Sequence, residues 1–313
     1  MMHDSTAMPS RLATVTVTYH PEVPALEAQL RALPAKSLKV LVDNASGEPV
    51  LSRIRRLVDT VPRTMLIECE RNEGLAAALN RGVDAICASA SEVEEVLFLD
   101  QDSVPLKDSV HVLQRALHSL REREERVGCV GPSLLDVDTG LRHGFHQATR
   151  WRWKRAYPSD DAYVHCANLN GSGTLVPIEL YRALGGLDAS LFIDHVDTEW
   201  SFRVAAAGYS LWGVPGAVFE HSMGVSGARF WLLGWRVWPV RSPLRMFFLY
   251  RNAVILMRRT YVPRVWKFWA VVKLAVNALV VLILGPQRKT QFERMWSGIR
   301  AGLRADPLEG VDR

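Results

Sequence analysis

Val96-Leu97-Phe98-Leu99-Asp100-Gln101-Asp102-Ser103-Val104 is the stretch whose reading decides the fold. Its first four residues are short, apolar and uncharged, the pattern of a strand buried on both faces. Side chains alternate along a strand, so carboxylates at i and i+2 leave its end on the same side. Two like charges held together repel unless a cation lies between them. A hard divalent ion such as Mg²⁺ or Mn²⁺, bound by one or two carboxylates and by substrate phosphates, answers that need. The plainer alternative is a polar strand end followed by a helix cap.

Working outward, Leu12 to Tyr19 is rich in β-branched residues, and Leu38 to Val42 is apolar and ends at Asp43-Asn44-Ala45-Ser46. Met65-Leu66-Ile67 ends before Arg71-Asn72-Glu73-Gly74. Helical patterns occupy about 22–33, 50–60, 75–90 and 106–126 between these runs. The order β-α-β-α-β-α-β predicts an α/β fold, a mostly parallel sheet flanked by helices on both faces. Ligands of such sheets bind beyond the carboxyl ends of the strands. Tyr19-His20-Pro21, Asp43-Asn44, Asn72-Glu73-Gly74 and Asp100-Gln101-Asp102 are therefore expected along one rim.

The second half is less regular. Residues 136–168 read as an irregular insertion rich in Arg, His, Trp and Asp. Asn168 to Pro177 reads as a turn entering a strand, followed by a short helix to Leu184 and a Gly185-Gly186 stop. A further helix is expected over about 195–207, ended by Gly208.

A chain of 313 residues can bury one large core with a smaller appendage. Cys69, Cys87, Cys129 and Cys166 have no CxxC spacing; Cys69 and Cys129 lie in apolar segments and read as core thiols in a reducing compartment. Met1 to Ser10 lacks an apolar signal core, so export is not expected. The net charge of +5 hides an asymmetry, since residues 226–313 carry 16 Lys and Arg against 4 Asp and Glu. Six of the ten tryptophans share that region. Basic charge, tryptophan and long aliphatic runs together favour an anionic membrane surface over nucleic acid, for which there is no recognition motif. Within 264–284, Lys267, Lys273 and Asn277 interrupt what would otherwise be a span. A helix lying on the leaflet, with Trp266 and Trp269 at the headgroups, is the expectation; a buried core helix is the alternative.

Seven segments resemble the family 2 inverting glycosyltransferases and, within them, the bacterial rhamnosyltransferase group. They are VTYHP at 17–21, LVDNAS at 41–46, RNEGLAAALNRGV at 71–83, FLDQDS at 98–103, GSGTLVP at 171–177, GGLDASLFIDHVDTEWSFR at 185–203 and FEHSMG at 219–224. The resemblance implies a GT-A-type nucleotide-sugar-binding catalytic domain over 1–225. Residues 226–313 would then be a helical, basic, membrane-associating region.

By this resemblance Thr18, Tyr19 and Asp43 hold the nucleobase and ribose, and Asn72 and Gly74 belong to the next nucleotide loop. A carboxylate at Asp43 suits the imide N–H of uracil or thymine, although a turn-forming Asp reads equally from DNAS. Asp100 would face the ribose or metal-bound water, with Gln101 beside it, and Asp102 would bind the metal. The motif is Asp-Gln-Asp where Asp-Ala-Asp or Asp-Asp is commoner. His221 matches a position near the metal and diphosphate. Asp197 matches the catalytic base, with Val196 where many relatives carry Glu; Asp194 is a weaker candidate. Trp200 shares a helix face with Asp197 and would suit a sugar acceptor, whereas Glu199, roughly 200° round the axis, is expected to pair with Arg203. Helix-N-terminal acids favoured by the macrodipole are the plainer reading of this cluster. Asn170, Gly171 and Ser172 correspond to a loop near the acceptor and sugar.

The implied reaction is inverting, metal-dependent transfer of L-rhamnose from dTDP-L-rhamnose to a hydroxyl of a lipid-linked saccharide or glycolipid acceptor. Cell-surface polysaccharide or rhamnolipid synthesis at the cytoplasmic face of the inner membrane would be its setting. Use of another nucleotide sugar such as a UDP-hexose, or non-catalytic nucleotide-sugar binding, are the alternatives.

Overall fold

The computed structural model describes residues 11–123, 126–158, 160–221, 227–231, 235–239, 241–307 and 309–310. Met1 to Ser10 and Ser222-Met223-Gly224 of the seventh matching segment lie outside them. The first half follows the expected alternation. It runs β1 (Leu12–Thr18), α1 (Val23–Ala32), β2 (Leu38–Asp43), α2 (Val50–Thr60), β3 (Thr64–Glu68), α3 (Leu75–Ser89) and β4 (Glu95–Asp100). After it come β5 (Ser103–Pro105), α4 (Ser109–Arg123), β6 (Val127–Asp136), β7 (Arg142–His143), β8 (Phe145–Ala148), β9 (Trp153–Ala156), β10 (Val164–Cys166) and β11 (Leu175–Pro177). The chain continues with α5 (Ile178–Ala183), α6 (Val196–Ala206), β12 (Ser210–His221), β13 (Gly227–Trp231), β14 (Trp235–Pro239), α7 (Pro243–Arg258), α8 (Arg264–Leu284) and α9 (Arg288–Arg304).

The main sheet has the order β10-β12-β6-β11-β4-β1-β2-β3, with β5 on β12 and β7 on β6. Strands β4, β1, β2 and β3 are parallel, β6 and β12 are parallel to each other, and β11 runs antiparallel to both β4 and β6. Alternation divides β4 between two cores. Val96 and Phe98 face α3, α5 and α6, while Leu97 and Leu99 face α1, α2 and α4. Both faces are thus covered, which is why these strands are apolar throughout.

Three expectations are corrected. Residues 136–168 are not wholly irregular: β8 and β9 form a hairpin, and β10 joins the main sheet. The tail is not wholly helical, since β13 pairs with β14; the side chains of Trp231, Trp235 and Trp238 lie outside the described set. Trp266 is not at a headgroup surface. It is 8% exposed and packs edge-on against His195 and Phe202. Ile255, Leu256, Val262 and Ala270 join it in the same core as β1, β4 and α6, so the tail is continuous with the sheet's core. Asn277 is also inside, accepting from the Tyr250 hydroxyl at 3.2 Å.

Candidate active site

The acidic turn is built by two strands that meet from distant parts of the chain. Strand β4 stops at Asp100, so Gln101 and Asp102 lie in a turn and not on the strand as the alternation argument assumed. Antiparallel pairing of β5 with the end of β12 sets His221 opposite Ser103, beside Asp102. One ligand atom from each of Asp100, Asp102 and His221 falls within a 4.8 Å group. His221 Nδ1 is 3.4 Å from Asp102 Oδ1 and 2.7 Å from Ser103 Oγ.

Hydrogen bonds clamp that turn from three sides. Gln29 of α1, itself fully buried, donates to the carbonyls of Asp100 at 2.6 Å and Ser103 at 2.5 Å. Gln101 accepts from the Tyr19 backbone N–H at 2.7 Å and donates back to its carbonyl. The Tyr19 ring is left 47% exposed at the rim. Ser172 Oγ accepts from the Asp100 N–H at 3.1 Å. Gln29 was missed in the sequence because a glutamine in a helix carries no signal of what it will reach.

Burial pushes the Asp100 carboxyl up to about 6, helped by repulsion from Asp102 and Asp197 and opposed by His221 and Arg245. Two carboxylates and an imidazole are hard-to-borderline donors, and Asp100 is a carboxylate whose charge is held at a cost. These residues fit a divalent cation.

Asp197 lies in the first turn of α6, near enough for its charge to act on Asp100. Burial raises its carboxyl above the ordinary range, and the backbone N–H groups of Thr198 and Gly171 partly offset this. Gly171 thus contacts Asp197 while its neighbour Ser172 holds Asp100. The 170–172 loop is the bridge between the two acidic sites, and Asn170 is exposed on it. Leu169 N–H donates to Ser201 Oγ, tying the same loop to α6.

Several expected roles change. Thr18 and Asp43 are both sealed at 0% exposure. Asp43 accepts from Thr18 Oγ1 at 2.9 Å, Ser46 Oγ at 2.5 Å and Ser46 N–H at 2.9 Å. It braces the turn and presents no open acceptor to a base. Gly74, at φ +87°, lies so close to Phe192 that a Cβ would sit 2.6 Å from that ring; its close approach is to protein. Asn72 links to Asn44 at 3.0 Å and stays half-buried. Trp200 is 4% exposed and packs on Tyr181, so it is core and not an acceptor platform.

Glu199 pairs with Arg203 at 2.8 Å, as expected, and extends into a buried network. Arg259 joins Glu199 at 3.3 Å and also pairs with Asp188. Asp194 is held by Arg245 at 2.7 Å, with Arg241 at 3.9 Å, which makes it an anchor and not a free base. Phe192, Asp194 and His195 all have positive φ, a costly path into α6 for non-glycine residues. Asn252 of α7, fully buried, holds that path by donating to the carbonyls of Leu191, Ile193 and Asp194. Asn252, beside Arg251 in the otherwise apolar run Met246 to Met257, was the available signal.

The fold is that of the GT-A glycosyltransferases. Among solved structures, GalNAc-T7 with UDP, GalNAc and Mn²⁺ aligns at TM-score 0.57 and 17% identity, covering 95% of this chain; the chain spans 57% of that one. The mannosyltransferase PcManGT of Pyrobaculum calidifontis with GDP-Man and Mn²⁺ aligns at 0.56 and 18% identity, covering 95% of this chain and 88% of that one. S. aureus TarS with UDP-GlcNAc aligns at 0.52 and 12% identity, covering 94% and 81%.

No family model matches. A dTDP-rhamnosyl transferase, RfbF of Shigella flexneri, is 26% identical over 317 residues, covering 97% of each chain. The chain is thus similar over nearly its whole length to a bacterial dTDP-rhamnosyl transferase.

Proposed function

We propose that this chain transfers L-rhamnose from dTDP-L-rhamnose to a hydroxyl of a lipid-linked saccharide or glycolipid, with inversion. The observation that supports the reading is the Gly171-Ser172 bridge, which touches the Asp197 carboxylate on one side and the Asp100 backbone on the other. Full-length likeness to the named dTDP-rhamnosyl transferase supports the donor.

Asp100, Asp102 and His221 would hold Mg²⁺ or Mn²⁺, which when bound supplies Lewis-acid neutralisation of the departing diphosphate. Gln29, Gln101 and Ser172 fix the turn that presents these ligands. Tyr19 offers its exposed ring to the base. Asp197 takes the proton from the acceptor hydroxyl; a raised carboxyl is a better proton acceptor in the transition state. One base opposite the leaving group gives direct displacement, so a β-linked donor yields an α-rhamnoside.

The membrane reading is part of the same proposal. At 21 residues, α8 is long and apolar enough by composition to cross a bilayer. One of its faces, with Trp266, Ala270, Asn277 and Val281, is buried in the protein, which favours a helix lying on the surface. Phe268, Trp269, Val271, Val276, Leu279 and Ile283 point outward. Basic residues of α8 and α9 flank them, suiting the anionic cytoplasmic leaflet.

The test is incubation of the purified enzyme with dTDP-rhamnose and candidate lipid acceptors, reading product mass. A gain of one deoxyhexose is expected, and competition from UDP-hexoses is expected to be weak. Transfer from a UDP-hexose in preference would replace the donor. Asp102→Ala is expected to lose metal-dependent donor binding.

A further inference from the structure

We propose that Phe192 is a positioning residue: it locks the loop before α3 to the entry of α6 and so sets where Asp197 stands. This rests on the glycosyl-transfer reading, in which Asp197 is the base. Backbone strain is the first observation. Phe192 has φ +62° and ψ −66°, and the Ile193 N–H donates to the Leu191 carbonyl at 2.7 Å. That is a γ-turn of the positive-φ kind, rare and costly for a residue with a Cβ. Asp194 and His195 follow at φ +63° and +66°. None of the three is glycine, so surrounding contacts must hold the path.

Those contacts reach Phe192 from two directions. From the first half of the chain, the Leu75 N–H at the start of α3 donates to the Phe192 carbonyl at 2.6 Å. Leading amides of a helix have no partner within it, so this one is satisfied from outside. Gly74 lies against the ring, where a Cβ would meet Cδ2 at 2.6 Å, Cγ at 2.7 Å and the carbonyl oxygen at 2.7 Å. The Gly74 N–H donates to Asn72 Oδ1 at 2.9 Å, and that oxygen also accepts from Asn44, just after β2, at 3.0 Å. From the tail, the Phe248 ring of α7 stacks on Phe192, with centroids 4.7 Å apart and planes 12° apart.

The two sets of contacts interleave. Asn252 of α7 takes the carbonyls of Leu191 and Ile193, while the carbonyl between them, that of Phe192, goes to α3. The segment is thus fixed to the tail and to the loop before α3 at successive residues. Asp197 follows in the first turn of α6, so a shift of Gly74-Leu75 reaches it through Phe192 and a short stretch of chain. A ring that only filled space could sit on a relaxed backbone. This one sits on a strained turn, opposite a glycine that leaves room for it.

Phe192→Gly is the test, because glycine adopts the turn freely and the change removes the ring. In the full-length enzyme, kcat for transfer from dTDP-rhamnose is expected to fall about tenfold or more. Calorimetric affinity for dTDP with Mn²⁺ and the donor KM are expected to stay within about twofold. Phe192→Tyr, which keeps the ring, is expected to recover most of kcat. Phe248→Leu removes the stacking partner and leaves the turn intact; it is expected to lower kcat in the same way by a smaller factor, and it carries the comparison if Phe192→Gly does not fold.

Amide hydrogen exchange reads the link without turnover. In Phe192→Gly, protection is expected to fall together at 75–78 and at 196–200, and to hold at 100–103. Equal losses of kcat and of dTDP affinity would make Phe192 general packing and overturn the proposal. So would an unchanged kcat, or exchange that rises at only one of the two helix starts. Joint loss of protection in a protein whose wild type never transfers rhamnose would keep the link between loop and helix and sink the transfer reading.

Discussion

The turn at Asp100–Ser103 and the path into α6 are held differently: the first by neutral hydrogen bonds alone, the second by ion pairs as well. On the donor wall, neutral hydrogen bonds from Gln29, Gln101 and Ser172 hold the Asp100–Ser103 turn. On the opposite wall charges join the neutral Asn252: buried Arg259 pairs with Asp188 and Glu199, and the more exposed Arg245 pairs with Asp194. The donor wall's clamps come from within α1, from the end of β1 and from the loop before β11. The base wall depends on residues of α7 and its C-terminal end, far along the chain. The difference teaches that the turn carrying Asp102 is clamped without the tail's polar groups, whereas the path into α6 and Asp197 is held by them.

The largest expected effect removes the base and spares both walls. Asp197→Asn is expected to reduce transfer about 10³-fold or more while dTDP binding with Mn²⁺ persists. Steady-state rates paired with calorimetry check it, and unchanged turnover would remove Asp197 as the base.

Breaking the charged wall comes next. Arg259 and Asp188 are both fully buried, so Arg259→Met strands a carboxylate and is expected to cost about 3–5 kcal/mol. Urea unfolding reads this; a loss below about 1 kcal/mol would mean the network is not structural.

The matching cut on the neutral wall is smaller. Gln29→Leu unpairs two carbonyls and is expected to cost about 1–3 kcal/mol. Because those carbonyls belong to the metal turn, Mn²⁺-dependent dTDP binding should weaken with it, while Arg259→Met should leave that binding intact in the folded fraction.

The smallest effect is a pH slope. Asp100 is raised to about 6 in the folded protein without metal, above its ordinary value of 3.8, so native protein binds the extra proton between these limits. The charged carboxylate therefore costs stability above about pH 6, and that cost is relieved as pH falls towards 4. Metal needs the deprotonated form, so Mn²⁺ affinity is expected to fall up to about tenfold per pH unit below about 6. Asp100→Asn should flatten that part of the slope; an unchanged slope would assign it to other groups.

The same contrast governs what the sequence could disclose. Strands β1 to β4 and their helices were legible because buried parallel strands are continuous apolar runs broken by turn residues. Asp100, Asp102, His221 and Asp197 stood out through their motifs. Strands β6 and β12 escaped, as glycines and prolines such as Gly128, Gly131, Pro132, Gly213 and Pro215 blur their pattern. Trp200 misled because sharing a helix face with Asp197 does not fix which part of that face meets the core. Asp43 misled because an Asx turn and a base contact ask for the same residue. The supports of the base wall were hidden, since Asn252, Arg245 and Arg259 acquire their partners only through tertiary packing.

The central claim is that a cation on the donor wall faces the base on the other. Anomalous scattering from crystals grown with Mn²⁺ and dTDP measures it directly. The account predicts one peak at bonding distance from Asp102 and His221, touching the diphosphate, with the Asp197 carboxylate across the same cavity. A peak elsewhere, or a diphosphate seated away from this turn, would contradict it.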